Sequence, residues 1–387
     1  MKWLYGLIFV VSFLVYPLHF VHAQQTSDVY EKAKVLEVTN QRTEDQSSFQ
    51  TGVQTQTQVQ TLKAEIIDSS EPGKVITLEN DYPIQLKAGD TFYVTRITDS
   101  ESGDVQYSFK DPNRLPGLGV LLFILLVLII GIGGKQGIRG FLSLIGSLLF
   151  IVYVLLPGVL HGYSPVLVSM GVASLIVILG SYITHGFSKT TTSAVLGMVA
   201  TILFTGLLAY WAIHYVHLTG FDADESVFLS ASQGIYLDFA GVLLGGILIG
   251  ILGILYDAAI GQAVSVDELH QVGPHLSRLK IYRRALRIGR EHIGALINTL
   301  AIAYVGASLP LLLFISTGAL GTSFWLTING DLFATEITRI LIGSIGLILT
   351  VPITTLVAVF LLIKPASSTS DVIKAEEGKL KEYKHTH

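Results

Sequence analysis

Apolar residues gather into seven long runs between Arg114 and Lys364, at about 116–133, 140–157, 164–182, 193–214, 237–262, 293–317 and 338–363. Each is near the length a helix needs to cross roughly 30 Å of hydrocarbon at about 1.5 Å per residue. Upstream the period changes. Val53, Thr55, Thr57, Val59 and Thr61 alternate with Gln54, Gln56, Gln58 and Gln60, the mark of a strand with two unlike faces. Further strands are predicted at 33–38, 61–67, 74–78, 91–97 and 105–109. Turn residues separate them at Glu71-Pro72-Gly73, Ala88-Gly89-Asp90 and Ser102-Gly103-Asp104. The polar stretch 40–51 reads as a mobile loop. The pattern predicts an all-α polytopic membrane bundle of seven spans over 116–364. A small extracytoplasmic all-β domain, an OB-like barrel or a sandwich, precedes it over 24–115.

The start of the chain reads as a secretory signal peptide over 1–23. Lys2 supplies the basic region, residues 3–16 are apolar, Pro17 interrupts, and Ala23 offers a small residue for cleavage. The alternative is an uncleaved anchor helix, for which about 14 apolar residues is short. Positive charges agree with export of the β-domain. Lys135, Arg139, Lys189 and the arginines of 278–290 lie in the first, third and fifth gaps, and more lysines follow in the tail. The second, fourth and sixth gaps have no Lys or Arg. Such asymmetry places the charged side, and the tail 365–387, in the cytoplasm.

Composition narrows the function classes. Charged residues make up 14% of 387, against about 25% in soluble domains. A net charge of −4 argues against a nucleic-acid partner. With no cysteine, thiolate metal sites and thiol nucleophiles are excluded. The sequence has no nucleophile elbow, phosphate loop, metalloprotease helix or dinucleotide fingerprint, so no enzyme, cofactor or metal is expected. Two imidazoles, His214 and His217, stand near Asp222, Asp224 and Glu225 in the fourth gap. They match no known ligand spacing, and solvated loop acids beside interfacial histidines are the simpler reading.

The fifth run carries the sharpest signal. From Phe239 to Val264 its only acidic or basic residue is Asp257. Such an acid costs about 2.5–3.5 kcal/mol near a helix centre and less near the interface. One reading is a proton- or cation-responsive carboxylate. The other is a helix-end acid that reaches water. Gly241, Gly245, Gly246, Gly250 and Gly253 on the same helix are expected to let neighbours pack closely. After Asp267 and Glu268 comes a basic stretch. In it Arg278, Arg283, Arg287 and Arg290 suit an amphipathic surface helix held by anionic lipid, or a docking site for a partner protein. Glu291 with Asn298, and His292 with Thr299, repeat at seven residues and form a polar stripe entering the sixth run. Together with Asp257, Gln262 and Glu268 they are the candidate polar path.

A longer pattern emerges: Glu225-Ser226-x-x-x-Leu229, Gly253-x-x-x-Asp257-x-Ala259-x-x-Gln262, Glu268-Leu269 and Ile288-Gly289-Arg290-Glu291. It ends with Asn298-Thr299-Leu300-x-x-Ala303-Tyr304-x-Gly306-x-Ser308-Leu309-Pro310. Together with a leading β-domain that ends Asp111-x-x-Arg114, this resembles the YibE/F family of bacterial multipass membrane proteins over nearly the whole mature chain, most specifically over 253–310. The resemblance implies an architecture and no particular activity. A fainter likeness links Asp257 and Asn298-Thr299 to RND and Sec accessory membrane domains, from which the span count and the leading exported domain depart. Two functions are expected: a permease-like transporter using Asp257, or a non-transporting scaffold whose β-domain binds an exported protein partner.

Overall fold

The computed structural model describes residues 29–47, 54–68, 72–98, 105–220, 237–317 and 323–363. The signal-peptide reading, the turn at 102–104, the fourth-gap acids and the tail lysines lie outside these residues. The chain divides into two compact units at Ile132/Gly133.

The first unit holds β1 (Val29–Ser47), β2 (Gln54–Asp68), β3 (Val75–Asn80), β4 (Thr91–Thr98) and β5 (Val105–Pro112). They form one antiparallel sheet in the order β3-β2-β1-β4-β5. Its outermost strands, β3 and β5, lie beside each other, so the sheet curls toward closure. Register shifts in β1 at Val35/Glu37 and Val38/Asn40 supply local twist for that curl. Leu62, Ile66, Phe92 and Val94 fill the interior, where Phe92 stacks on Phe109 at 5.3 Å. Buried Gln60 fastens the loop after β3. Its Oε1 accepts from the Leu86 amide at 2.8 Å and from Asn80 Nδ2 at 3.1 Å, and its Nε2 donates to the Leu86 carbonyl at 3.2 Å.

The expected loop at 40–51 is corrected over its described part. Residues 41–47 continue β1 and pair with 54–60 of β2. The Thr/Gln alternation already signals a strand, and a strand needs a partner. β3 pairs with β2 no further than Gln60, and β4 with β1 no further than Lys34. The ribbon beyond is covered by neither strand, which suits polar residues on both faces.

The second unit is helical. Helix α1 (Leu115–Leu160) crosses the unit boundary and carries the first two predicted spans. It breaks at Gly134, whose φ of 51° and ψ of −138° favour glycine. A π-turn at Ile151–Leu155 precedes Pro157, which cannot donate to the helical ladder. Then follow α2 (Pro165–His185), α3 (Lys189–Val216), α4 (Phe239–Val272), α5 (Arg278–Ala307), α6 (Leu309–Ser316), α7 (Phe324–Asn329) and α8 (Asp331–Leu362). Among the described residues five helices are long and apolar enough to cross a membrane: α1, α2, α3, α4 and α8.

Two expected boundaries move. α4 continues ten residues past 262, because nothing breaks it before Gly273-Pro274. The surface helix and the sixth run fuse. α5 is unbroken from Arg278 to Ala307, and α6 restarts with Pro310 in its first turn. The arginine-rich half makes α5 too polar to qualify as an apolar span by itself. Arg278, the first residue of α5, reaches the C-terminal end of α8. Its Nε donates to the Ile363 carbonyl at 3.0 Å, satisfying an acceptor that a helix end otherwise leaves orphaned.

Glycine fixes how closely these helices meet. A methyl group on Gly197 of α3 would lie 2.8 Å from Thr354 Cα of α8, and one on Gly346 of α8 would lie 2.6 Å from Thr205 Oγ1 of α3. These two contacts make α3 and α8 antiparallel. Gly245 against Ser169, and Tyr256 donating to the Gly180 carbonyl at 3.4 Å, make α4 parallel to α2. Gly343 against Leu300, and Val351 against Gly289, make α5 antiparallel to α8.

The α4 glycines divide by what stands next to them. Gly241 meets Pro165, Gly245 meets Ser169 and Gly250 meets the Tyr304 hydroxyl, but Gly246 and Gly253 have nothing within 4 Å. They lie on the face that neighbours leave open. Gly346→Leu is therefore expected to destabilise the bundle by at least about 1–3 kcal/mol through overpacking. Gly246→Leu should change stability by no more than about 0.5 kcal/mol. Thermal unfolding in detergent compares them, and equal losses would contradict this assignment.

Candidate polar groove over α4

Between 241 and 270 the exposed residues of α4 are Val242, Gly246, Gly250, Gly253, Asp257, Gly261, Val264 and Glu268. Their steps of three and four residues keep them on one straight stripe. The stripe runs between two neighbours. α2 packs beside it at Gly245 and Tyr256, and α5 beside it at Gly250 and Gln262. Half of its positions are glycine, so the floor is backbone rather than side chain. Asp257 stands in the middle.

Asp257 has company from α2. The His185 imidazole lies within electrostatic reach of its carboxylate. That ring also sits 5.7 Å from the ring of Tyr256, whose hydroxyl is held by the Gly180 carbonyl. Two turns away, the Tyr304 hydroxyl leans over Gly250. Gly250 and Asp257 are seven residues apart, which puts them on one face with a rise of about 10.5 Å. The Tyr304 hydroxyl is buried and has no hydrogen-bond partner among the described residues.

Behind Tyr304 is a polar cluster the sequence reading missed. Glu336 and Arg339 of α8 pair at 3.4 Å. Ser308 Oγ donates to the other Glu336 oxygen at 3.0 Å. The Arg339 guanidinium lies 5.9 Å from the Tyr304 ring centroid. Glu336 falls just before the predicted seventh span and Arg339 just inside it, so neither was counted with a gap's charges. Their three-residue spacing in an apolar run was the available signal.

The other predicted residues are placed as follows. Gln262 is buried, and its Nε2 donates to the Ala285 carbonyl at 2.7 Å, which ties α4 to α5. Glu268, Glu291, His292, Asn298 and Thr299 are exposed, and no hydrogen bond or ion pair joins them to Asp257 among the described residues. Thr299 Oγ1 donates to the Ala295 carbonyl of its own helix. Arg283, Arg287 and Arg290 are exposed on α5, whereas Arg278 is engaged with α8. His214 and His217 close α3, with His214 Nδ1 lying 2.8 Å from the Tyr210 carbonyl.

A family model described as YibE/F-like protein matches residues 121–364. The chain belongs to that family. No curated protein and no solved structure matches it. The YibE/F-like region takes in Asp257 and its glycine stripe, Tyr304, and the Glu336–Arg339 pair, and it leaves out the whole sheet. The match covers less of the chain than the resemblance implied, because it stops short of the β-domain and of Asp111-x-x-Arg114.

The Glu336–Arg339 pair is partly shielded, with side chains 23% and 29% exposed. Removing one partner leaves the other charge uncompensated in an apolar setting. Arg339→Met alone is expected to destabilise this YibE/F-like bundle by more than the double change Glu336→Gln with Arg339→Met does. A thermal-denaturation double-mutant cycle measures the coupling, and strictly additive losses would exclude it.

Proposed function

We propose that the protein is a permease whose path follows the glycine-floored stripe of α4, with Asp257 as the group that binds a proton or cation. One observation carries this reading. In a helix otherwise without charge from Phe239 to Val264, the acid lies on the open face, beside His185, rather than within a helix contact. Keeping a carboxylate in hydrocarbon is costly, and such residues usually face water-filled cavities. Tyr304 adds a hydroxyl two turns from Asp257, at Gly250, and Ser308, Glu336 and Arg339 lie behind it. Protonation of Asp257 then biases the bundle between two packings. No covalent chemistry enters this reading.

The same proposal includes the topology. Seven crossings result if α1 counts as two, divided at Gly134, and α5 with α6 counts as one. The antiparallel packing of α5 on α8 supports its counting as a crossing. Charge asymmetry supports a cytoplasmic position for the Arg278 end, and an exported, OB-like β-domain. In proteoliposomes carrying a pH-sensitive dye, the protein is expected to conduct protons down an imposed gradient, and Asp257→Asn to abolish that flux. Unchanged flux in the variant would remove Asp257 from the mechanism.

The β1–β2 ribbon favours a second reading, a scaffold. Residues 41–47 and 54–60 pair with each other but extend past β3 and β4, so the ribbon has outer edges that those strands leave free. Free strand edges accept partner strands. If the protein is a scaffold, crosslinkers placed at Thr43 and Thr57 in cells should capture a discrete exported protein. Capture of nothing but this chain would count against it.

A further inference from the structure

The bundle carries an open surface pocket of about 540 Å³ lined by Phe187, Ser188, Lys189, Thr192 and Leu361, all of them exposed except Thr192. It lies where α2 gives way to α3 and where α8 ends. Two properties of its wall bear on what it holds. Lys189 is exposed and forms no ion pair with any described residue, and the nearest acid shown, Asp267, accepts from Thr190 at 2.8 Å. Phe187 is 89% exposed and Leu361 46%, which gives the pocket an apolar side. Elsewhere on its surface the same end of α8 exposes Leu356 and Phe360.

The two hydroxyls are already engaged. Ser188 Oγ accepts from the Thr191 amide at 3.0 Å, and Thr192 Oγ1 donates to the Ser188 carbonyl at 2.8 Å. They shape the pocket, and Lys189 is the cation left for a ligand. Nearby Arg278 does not line the pocket; it donates to the Ile363 carbonyl at 3.0 Å and lies 5.3 Å from the Phe360 ring centroid.

A cation beside an apolar wall, at the end of helices that cross a membrane, matches an amphipathic anion. We propose that this pocket is a binding site for one anionic phospholipid. Its phosphate meets Lys189, and its acyl chain lies against Phe187 and Leu361. This goes beyond general contact of the α5 arginines with a charged surface, because it assigns a defined site on other helices. The proposal stands independently of transport.

The test uses the full-length protein in a neutral detergent. Short-chain phosphatidylglycerol, phosphatidylcholine of the same chain length and inorganic phosphate are titrated while the thermal midpoint is followed. Phosphatidylglycerol is expected to raise the midpoint saturably, and the other two to have little effect. Lys189→Glu should weaken the apparent phosphatidylglycerol affinity roughly fivefold or more, since one basic side chain near an anionic surface contributes on that scale. Thr192→Trp keeps the charge and fills the space, and it should weaken binding as well. Each variant is compared with its own lipid-free midpoint, so a loss of basal stability does not mimic the result. Equal stabilisation by phosphatidylcholine, or by phosphate alone, would overturn the proposal. So would full retention of affinity in both variants. An effect seen only after removal of residues 364–387 would make the tail the occupant and would also overturn it.

Discussion

Lipid tails are as apolar as leucine, so a helix in a bilayer gains little by hiding leucines against its neighbour. What remains is dispersion, which falls steeply with distance, together with the few polar contacts that helices can share. Close approach therefore decides the bundle, and glycine permits it. Gly197 and Gly346 let α3 and α8 meet with backbone against Thr354 and Thr205, whose hydroxyls are buried there without hydrogen-bond partners among the described residues. Gly343 accepts Ile251 and Leu300, and Gly289 accepts Val351 and Gln262. Together with Gly245 against Ser169 of α2, these contacts set the direction of the helices that position the groove.

The same residue type has the opposite consequence on the other face of α4. Gly246, Gly253 and Gly261 have no neighbour within 4 Å, so the helix there presents bare backbone. Bare backbone leaves room beside Asp257. The acid and its open surroundings thus share one cause: glycines that serve no helix contact. Two turns from Asp257, Gly250 admits the Tyr304 hydroxyl, and the Arg339 guanidinium of the Arg339–Glu336 pair lies 5.9 Å from the Tyr304 ring centroid. Polar groups on α2, α4, α5 and α8 are gathered along one face without any of them being close in sequence.

Much of the architecture was legible because its rules are local. Hydrocarbon thickness fixes run length, and period two with turn residues marks strands, so the membrane helices and the sheet could be read along the chain. Where reading failed, the reason was also physical. Residues 40–47 looked like a loop because polarity resembles disorder until a partner strand is known. The fusion of 278–290 with the sixth run was missed because a basic face and an apolar face were taken as two elements. Without Gly-Pro or a proline between them, the backbone has no reason to stop.

The sequence by itself determined that the apolar run 239–264 holds one acid among glycines, that helices follow a sheet, and that positive charge keeps to alternate gaps. Those are statements about spacing and composition, which the linear chain contains. Tertiary structure alone decided which glycines are contacts and which are openings. It also assigned Gln262 to a helix tie, and it brought His185 rather than Asn298 to Asp257. The reason is geometric. A helix has several faces, and only the placement of its neighbours determines which face is filled and which stays open.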